Sequence, residues 1–231
     1  NRYDHNIGCS LYTKEHYELQ NFRKKITVIN NGIDLSRVEQ VKKHSSVFSS
    51  YFDVQDDELI FIVIGTLKKR FGKFQKGHDL IFKAFNQIEN RNYRVVFLGD
   101  FSNLENDFPD KSYKNPRFMF LGIVPDVIKY LVCSNVLLAP SRFEGLPIST
   151  IEGVCSGLPL ICSSIEGFAP FHHGATLVTK NEDVEDLKEK ILYMFDNYKR
   201  FEAEGKKQTE NYRSMFDINL VVGQYLKYVK S

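Results

Sequence analysis

The chain has 231 residues, enough for one large domain or for one domain with a fragment of a second. Hydrophobic residues make up 42% and charged residues 26%, with a formal net charge of +2, so the composition is that of an ordinary globular protein and points to no nucleic-acid partner. No apolar run approaches the ~20 residues of a membrane-spanning helix, and residues 1–25 are too polar to be read as a signal peptide.

In chain order, residues 6–10 read as a short strand, 13–22 as a helix, and 25–29 as a second strand ending at Asn30-Asn-Gly32. Residues 45–57 are polar and acid-rich, the character of a linker or surface loop. From Leu59 onward the pattern changes. Short apolar runs at 59–64, 95–98, 118–121, 136–139, 158–162 and 176–178 suit strands buried on both faces. Between them lie helical patterns at 77–88, 124–133, 147–156 and 184–198, and a last one spans 218–228. Alternation of this kind predicts an α/β fold, a doubly wound parallel sheet of Rossmann-like type. The chain thus divides into 1–34, which does not fit that unit, a connecting stretch 35–58, and the unit itself, 59–231.

Cys9, Cys133, Cys155 and Cys162 form no Cys-x-x-Cys pair and sit among apolar or small residues, so they are expected to be reduced and buried. His172-His173 lie in an apparent loop without further metal-ligand spacing. Two stretches carry chemistry instead. Residues 67–76 place five basic side chains, Lys68, Lys69, Arg70, Lys73 and Lys76, in a loop directly after a strand. At the carboxyl edge of a parallel sheet such a loop can neutralise a diphosphate.

The second stretch is Pro140-Ser-Arg-Phe-Glu-Gly-Leu-Pro-Ile-Ser-Thr-Ile-Glu152. Glu144 falls in the loop off a strand, and a helix starts near Pro147, where proline suits the first turn. Gly145 lets the backbone approach a ligand, and the N–H groups of Ile148 and Ser149 leave the helix end free for an anion. Glu152 lies about a turn and a half inside the helix. The two carboxylates can accept hydrogen bonds from two polyols of one ligand, such as a sugar and a ribose.

Residues 140–162 resemble the Glu-x7-Glu signature of family-4-type retaining glycosyltransferases, which have the two-domain GT-B fold. Two further segments match in order: Val28-Ile-Asn-Asn-Gly-Ile-Asp34 is similar to the crossover between the family's domains, and Gly65-Thr66 with Gln75-Lys-Gly-His-Asp79 to its pyrophosphate-binding strand, loop and helix. The resemblance implies that Glu144 contacts the donor sugar, Glu152 the ribose, and Lys76 the phosphate. It also implies that the backbone of Gly145, Leu146 and Ile148 holds sugar and phosphate, and that Ile123, in Phe120-Leu-Gly-Ile-Val-Pro125, lies beside the nucleobase. The family's usual Arg after the strand glycine is Thr66 here, and the basic loop is about five residues longer than the common form, so Lys69 or Arg70 is expected to supply that charge.

By the same resemblance the reaction needs no metal cofactor. Its partners are a nucleotide-sugar donor and a glycan or lipid-linked acceptor in cell-surface polysaccharide synthesis. The chain is expected to be the donor-binding half of a longer cytoplasmic enzyme, which associates with the inner face of the membrane. Asn1 in place of an initiator agrees with truncation, and residues 1–34 with a remnant of the amino-terminal domain. A non-catalytic nucleotide-sugar-binding subunit, or a GT-B-type epimerase, are the alternative readings.

Overall fold

The structure, a computed structural model, describes residues 6–19, 25–41, 46–55 and 57–230. Near the amino terminus β1 (Ile7–Gly8) pairs in parallel with β2 (Thr27–Val28), joined through helix α1 (Leu11–Leu19). Residues 20–22, which end the helix expected at 13–22, lie outside the described residues. Two short helices follow, α2 (Leu35–Gln40) and α3 (Ser46–Ser49). Asp34 starts α2 as an N-cap, its carboxylate accepting from the Ser36 N–H. The expectation of a polar surface loop at 45–57 needs correction in one place. Phe48 is 1% exposed and stacks on Phe52 at 5.6 Å, so this segment is fastened to the core by its aromatic residues.

The main sheet begins at β3 (Leu59–Ile64), whose Leu-Ile-Phe-Ile-Val-Ile run is apolar on both faces because helices cover both. A small hairpin comes next, β4 (Lys69–Arg70) with β5 (Lys73–Phe74), then α4 (His78–Phe85), β6 (Tyr93–Leu98), α5 (Leu104–Asp107), β7 (Phe118–Gly122), α6 (Ile128–Leu131) and β8 (Val136–Ala139). The chain continues through α7 (Ile148–Cys155), β9 (Leu160–Ser163), a 3-10 turn at Glu166–Phe171, β10 (Thr176–Thr179), α8 (Val184–Phe216) and α9 (Ile218–Lys230). The six sheet strands run in the order β10-β9-β8-β3-β6-β7, all parallel, with Leu59 to Ile64 in register with Tyr93 to Leu98.

Two cores flank the sheet. On one face Ile81, Phe82 and Phe85 of α4 pack with Leu187, Ile191 and Met194 of α8. On the other, Ile128 and Leu131 of α6 and Ile151 and Cys155 of α7 pack with Tyr212 and Phe216, from the far end of α8. Helix α8 therefore serves both layers. At 33 residues it extends well past the pattern read at 184–198, because Phe201, Gly205, Tyr212 and Phe216 prolong its buried stripe. Gly205 is required there: a Cβ would stand 2.6 Å from the Gly157 carbonyl oxygen. The helix read at 124–133 shrinks to a single turn, since Pro125 biases its predecessor toward extended backbone and the Asp126 carboxylate accepts from the Ile128 N–H at 3.2 Å in a local turn. Helix α9 returns to the start of the chain, where the Tyr228 hydroxyl meets both the N–H and the carbonyl of Asn6.

Candidate functional site

Strand order reverses between β3 and β8, and ligands of open α/β sheets bind outside the carboxyl ends of strands at that place. The two stretches singled out from the sequence leave the sheet there. After β3 the chain passes Gly65, rises into the hairpin and comes back at Lys76. The hairpin turns on Phe71 and Gly72, at φ 51° and 76°, the positive pair required by a tight two-residue turn. The alkyl chain of Lys76 then lies across Gly65, where a Cβ would sit 2.8 Å from the lysine's Cγ and Cε. Its ammonium reaches Oε1 of Glu144 at 2.6 Å, as an ion pair rather than an aligned hydrogen bond. Both side chains are largely sheltered, at 22% and 9% exposure.

Glu144 comes from the loop after β8. That loop is held from behind: a Cβ on Gly167 would stand 2.3 Å from the Glu144 carbonyl oxygen. The Asn31 amide, in the crossover segment, donates to the Leu146 carbonyl at 2.7 Å, and Leu146 is buried. At Gly145 the missing side chain leaves room for Cys9 Sγ and Thr13 Oγ1, each 3.2 Å from a Cβ placed there. Helix α7 starts just beyond with Ile148 half exposed and Ser149 on the wall of a small pocket shared with Ile64, Lys76, Ser141 and Glu144. Its first N–H groups have no intrahelical acceptor.

Inside α7, Glu152 is 8% exposed. Burial raises its pKa, against the pull of the Arg37 guanidinium at 3.8 Å; the Asp126 carboxylate nearby adds to the rise. Arg37 also grips Asp126 at 3.0 Å, which ties α2 to the loop after β7. Ile123 projects from that loop, 80% exposed, just after Gly122 at φ 74°. Thr66 accepts from the Asp100 N–H at 3.4 Å. Of the two substitutes for the absent arginine, Lys69 is drawn to Asp107 at 2.7 Å, whereas Arg70 lies against the rings of Phe71 and Phe143, the latter preceding Glu144.

Sequence reasoning missed the hairpin, Arg37, Arg142 and His78. Arg142 stood inside the quoted signature, but its partner Asp79 lies in another motif, and nothing local pairs them. His78 lies wholly inside, its Nε2 3.2 Å from the Gly65 carbonyl oxygen. Of the cysteines, Cys133, Cys155 and Cys162 are buried as expected, while Cys9 is only half-buried against Gly145. Burial pushes the Cys155 thiol up to about 12 and Cys162 higher, so neither is a nucleophile near neutrality. Among the described residues no cluster of three or more His, Cys, Asp or Glu is arranged to hold a metal ion. A larger groove opens at the opposite, amino edge of the sheet beside Leu59, Asn92 and Asn135, but its Arg91 and Lys199 are already paired with Asp196 and Glu202.

The family model for glycosyl transferases group 1 matches residues 58–197. A UDP-Gal:alpha-D-GlcNAc-diphosphoundecaprenol alpha-1,3-galactosyltransferase of Escherichia coli is 27% identical over 146 residues, covering 62% of this chain and 38% of that protein. The O-antigen biosynthesis glycosyltransferase WclY of Escherichia coli is 26% identical over 174 residues, covering 75% and 47% respectively. The chain therefore spans under half the length of these relatives. Among solved structures, Anabaena Alr3699/HepE in complex with UDP-glucose superposes with a TM-score of 0.83 over 100% of this chain and 65% of that one, at 14% identity. That likeness establishes the fold, which is that of GT-B proteins.

Proposed function

The chain belongs to the group 1 glycosyl transferases, and on that basis we propose that it is the donor-binding half of a family-4-type enzyme that transfers a sugar from a nucleoside diphosphate with retention of configuration. The observation that carries the reading is the meeting of Lys76 and Glu144 at the strand-order reversal, beside the amino end of α7. The acceptor is a glycan or a lipid-linked sugar engaged mainly by the rest of the enzyme, in cell-surface polysaccharide synthesis; the relatives named above act in that chemistry. No described helix is long and apolar enough to cross a membrane, and we propose a peripheral attachment at the cytoplasmic face.

Each residue has a task under this reading. As the glycosidic bond breaks, negative charge grows on the departing diphosphate and positive charge on the sugar ring. Lys76 has hydrogen-bonding directions uncommitted in its ion pair, so it can turn a donor N–H to the diphosphate while staying close to Glu144. Arg70 and the N–H groups of Ile148 and Ser149 add to that stabilisation, which acts where charge develops. The Glu144 carboxylate accepts from sugar hydroxyls, and Glu152 from the ribose, with Arg37 fixing its orientation. Lysine, arginine and the helix end neutralise the diphosphate in place of a metal.

Calorimetric titration with UDP, GDP and ADP checks this. One of the diphosphates should bind, Lys76→Ala should weaken it by about 1.5–3 kcal/mol, roughly 10- to 150-fold, and EDTA should leave the affinity unchanged. Equal binding by Lys76→Ala, or loss in EDTA, would sink the proposed site. The two glutamates separate by ligand. Glu152→Ala should weaken nucleotide and nucleotide sugar alike by about 1–3 kcal/mol, whereas Glu144→Ala should weaken only the nucleotide sugar. Identical effects on both ligands would refute that division.

A further inference from the structure

We propose that Arg142 is a positioning residue that sets the separation of Lys76 and Glu144 by clamping together the two loops that carry them; this rests on the donor-site reading above. Arg142 is 7% exposed. Its Nη1 donates to the Phe74 carbonyl at 2.7 Å and to Asp79 Oδ1 at 2.8 Å, and its Nη2 donates to Asp79 Oδ2 at 2.8 Å. Its Nε lies 3.3 Å from Glu182 Oε1. The backbone repeats the tie: the Arg142 N–H donates to the Gln75 carbonyl at 2.8 Å, and the Gln75 side-chain amide donates to the Phe143 carbonyl at 3.1 Å.

The consequence follows from adjacency. Phe74 and Gln75 immediately precede Lys76, and Arg142 and Phe143 immediately precede Glu144. The two segments run side by side, pinned by the guanidinium at one point and by Gln75 at the next, and the paired side chains emerge at the following step. Asp79, in the first turn of α4, fixes the orientation of the fork by a two-point contact. Glu182 adds a third anchor. It adopts φ 63°, a costly backbone state for a residue with a side chain, and it holds both Arg142 and, at 2.5 Å, Lys73 of the hairpin. The charges within the clamp, Arg142 and Lys73 against Asp79 and Glu182, sum to zero. With Nη1 and Nη2 turned inward to Asp79 and Phe74 and its charge paired with Glu182, Arg142 is not the second cation for the diphosphate; it acts through Lys76. A lysine keeps the charge and loses the fork, so Arg142→Lys isolates geometry from electrostatics.

The test compares UDP with UMP, because Lys76 is assigned to the diphosphate and UMP lacks the outer phosphate. In Arg142→Lys the affinity for UDP should fall about tenfold while that for UMP stays within about twofold, and Asp79→Asn should do the same. The double variant should be no worse than the weaker single variant, since both break one contact. A crystal structure of Arg142→Lys should show Lys76 Nζ and Glu144 Oε1 drawn apart from 2.6 Å. A merely structural role predicts lower thermal stability with the UDP-to-UMP ratio unchanged, and that result overturns the proposal, as does a crystal structure that keeps the 2.6 Å pair. If the unaltered protein binds none of UDP, GDP and ADP better than the matching monophosphate, the donor-site reading fails by itself, and the crystallographic distance still decides the clamp; if it prefers GDP or ADP, the same comparison is made with that pair.

Discussion

Replacing Gly77 by alanine should destabilise the protein by about 2–5 kcal/mol and abolish most of its nucleotide affinity. Two costs add. Gly77 sits at φ 71°, a left-handed conformation that costs a residue with a Cβ about 1–2 kcal/mol. Its Cβ would also stand 2.2 Å from the Pro140 carbonyl oxygen, and overpacking against a fixed backbone costs a further ~1–3 kcal/mol. The clash falls between the two loops of the site, one residue from Lys76, so relief by moving α4 away from Pro140 would part Lys76 from Glu144. Gly72 supplies the control. It has φ 76°, but nothing lies within 4 Å of a Cβ placed there, so Gly72→Ala should cost only the conformational share. Urea unfolding of both variants measures the difference. Equal losses at the two positions would mean that the contact between Gly77 and Pro140 is not as described.

That contrast also marks what a sequence reader can and cannot see. The strands announced themselves because a parallel sheet covered on both faces demands unbroken apolar runs. The runs read at 59–64 and 136–139 coincide with β3 and β8 to the residue. The helix behind Pro147 was legible for a different reason, the fixed φ of proline and the apolar stripe that follows. Lys76 and Glu144 were both picked out, each from its own motif, yet their ion pair was not, because it joins loops 68 residues apart in sequence and depends on strand order. The hairpin at 69–74 was hidden by its composition. Charged residues dominate it, and Phe71 stands at a turn position where glycine or asparagine would have been the signal. The far half of α8 was missed at 199–216, where polar residues separate the buried Phe201, Gly205, Tyr212 and Phe216 by one or two turns. Arg37 was unreadable as a site residue because its carboxylate partners, Asp126 and Glu152, belong to segments that meet only when the crossover segment lies against α7.

The same interior placement that conceals His78 from sequence reasoning gives it a measurable signature. Burial among Phe97, Phe101 and the start of α4 lowers its pKa from 6.5 to about 4; the Gly65 carbonyl and Asp79 oppose the shift, and Lys76 assists it. The folded state therefore keeps the imidazole neutral while the unfolded chain takes up a proton below pH 6.5. Between pH 6.5 and about 4 the unfolded state holds more protons, and stability must rise with pH across that window. The contribution is complete above pH 6.5 and shrinks as the pH falls, by about 2–3 kcal/mol at pH 4.5. Carboxylates titrate in the same range, so the test is a difference. His78→Phe fits the aromatic surroundings and removes the proton site, though it leaves the Gly65 carbonyl without its partner and so lowers stability at pH 7.5. Unfolding free energies of both proteins at pH 7.5 and 4.5 should show the variant losing about 2–3 kcal/mol less on acidification than the parent. Parallel losses would mean that His78 titrates normally in the folded state. A neutral imidazole here also bears on the site. Protonation at Nδ1 would leave Nε2 donating to the Gly65 carbonyl, but it would set a second cation beside the Lys76 stem with its new N–H buried and unpartnered, so acid should weaken the packing beneath the candidate site.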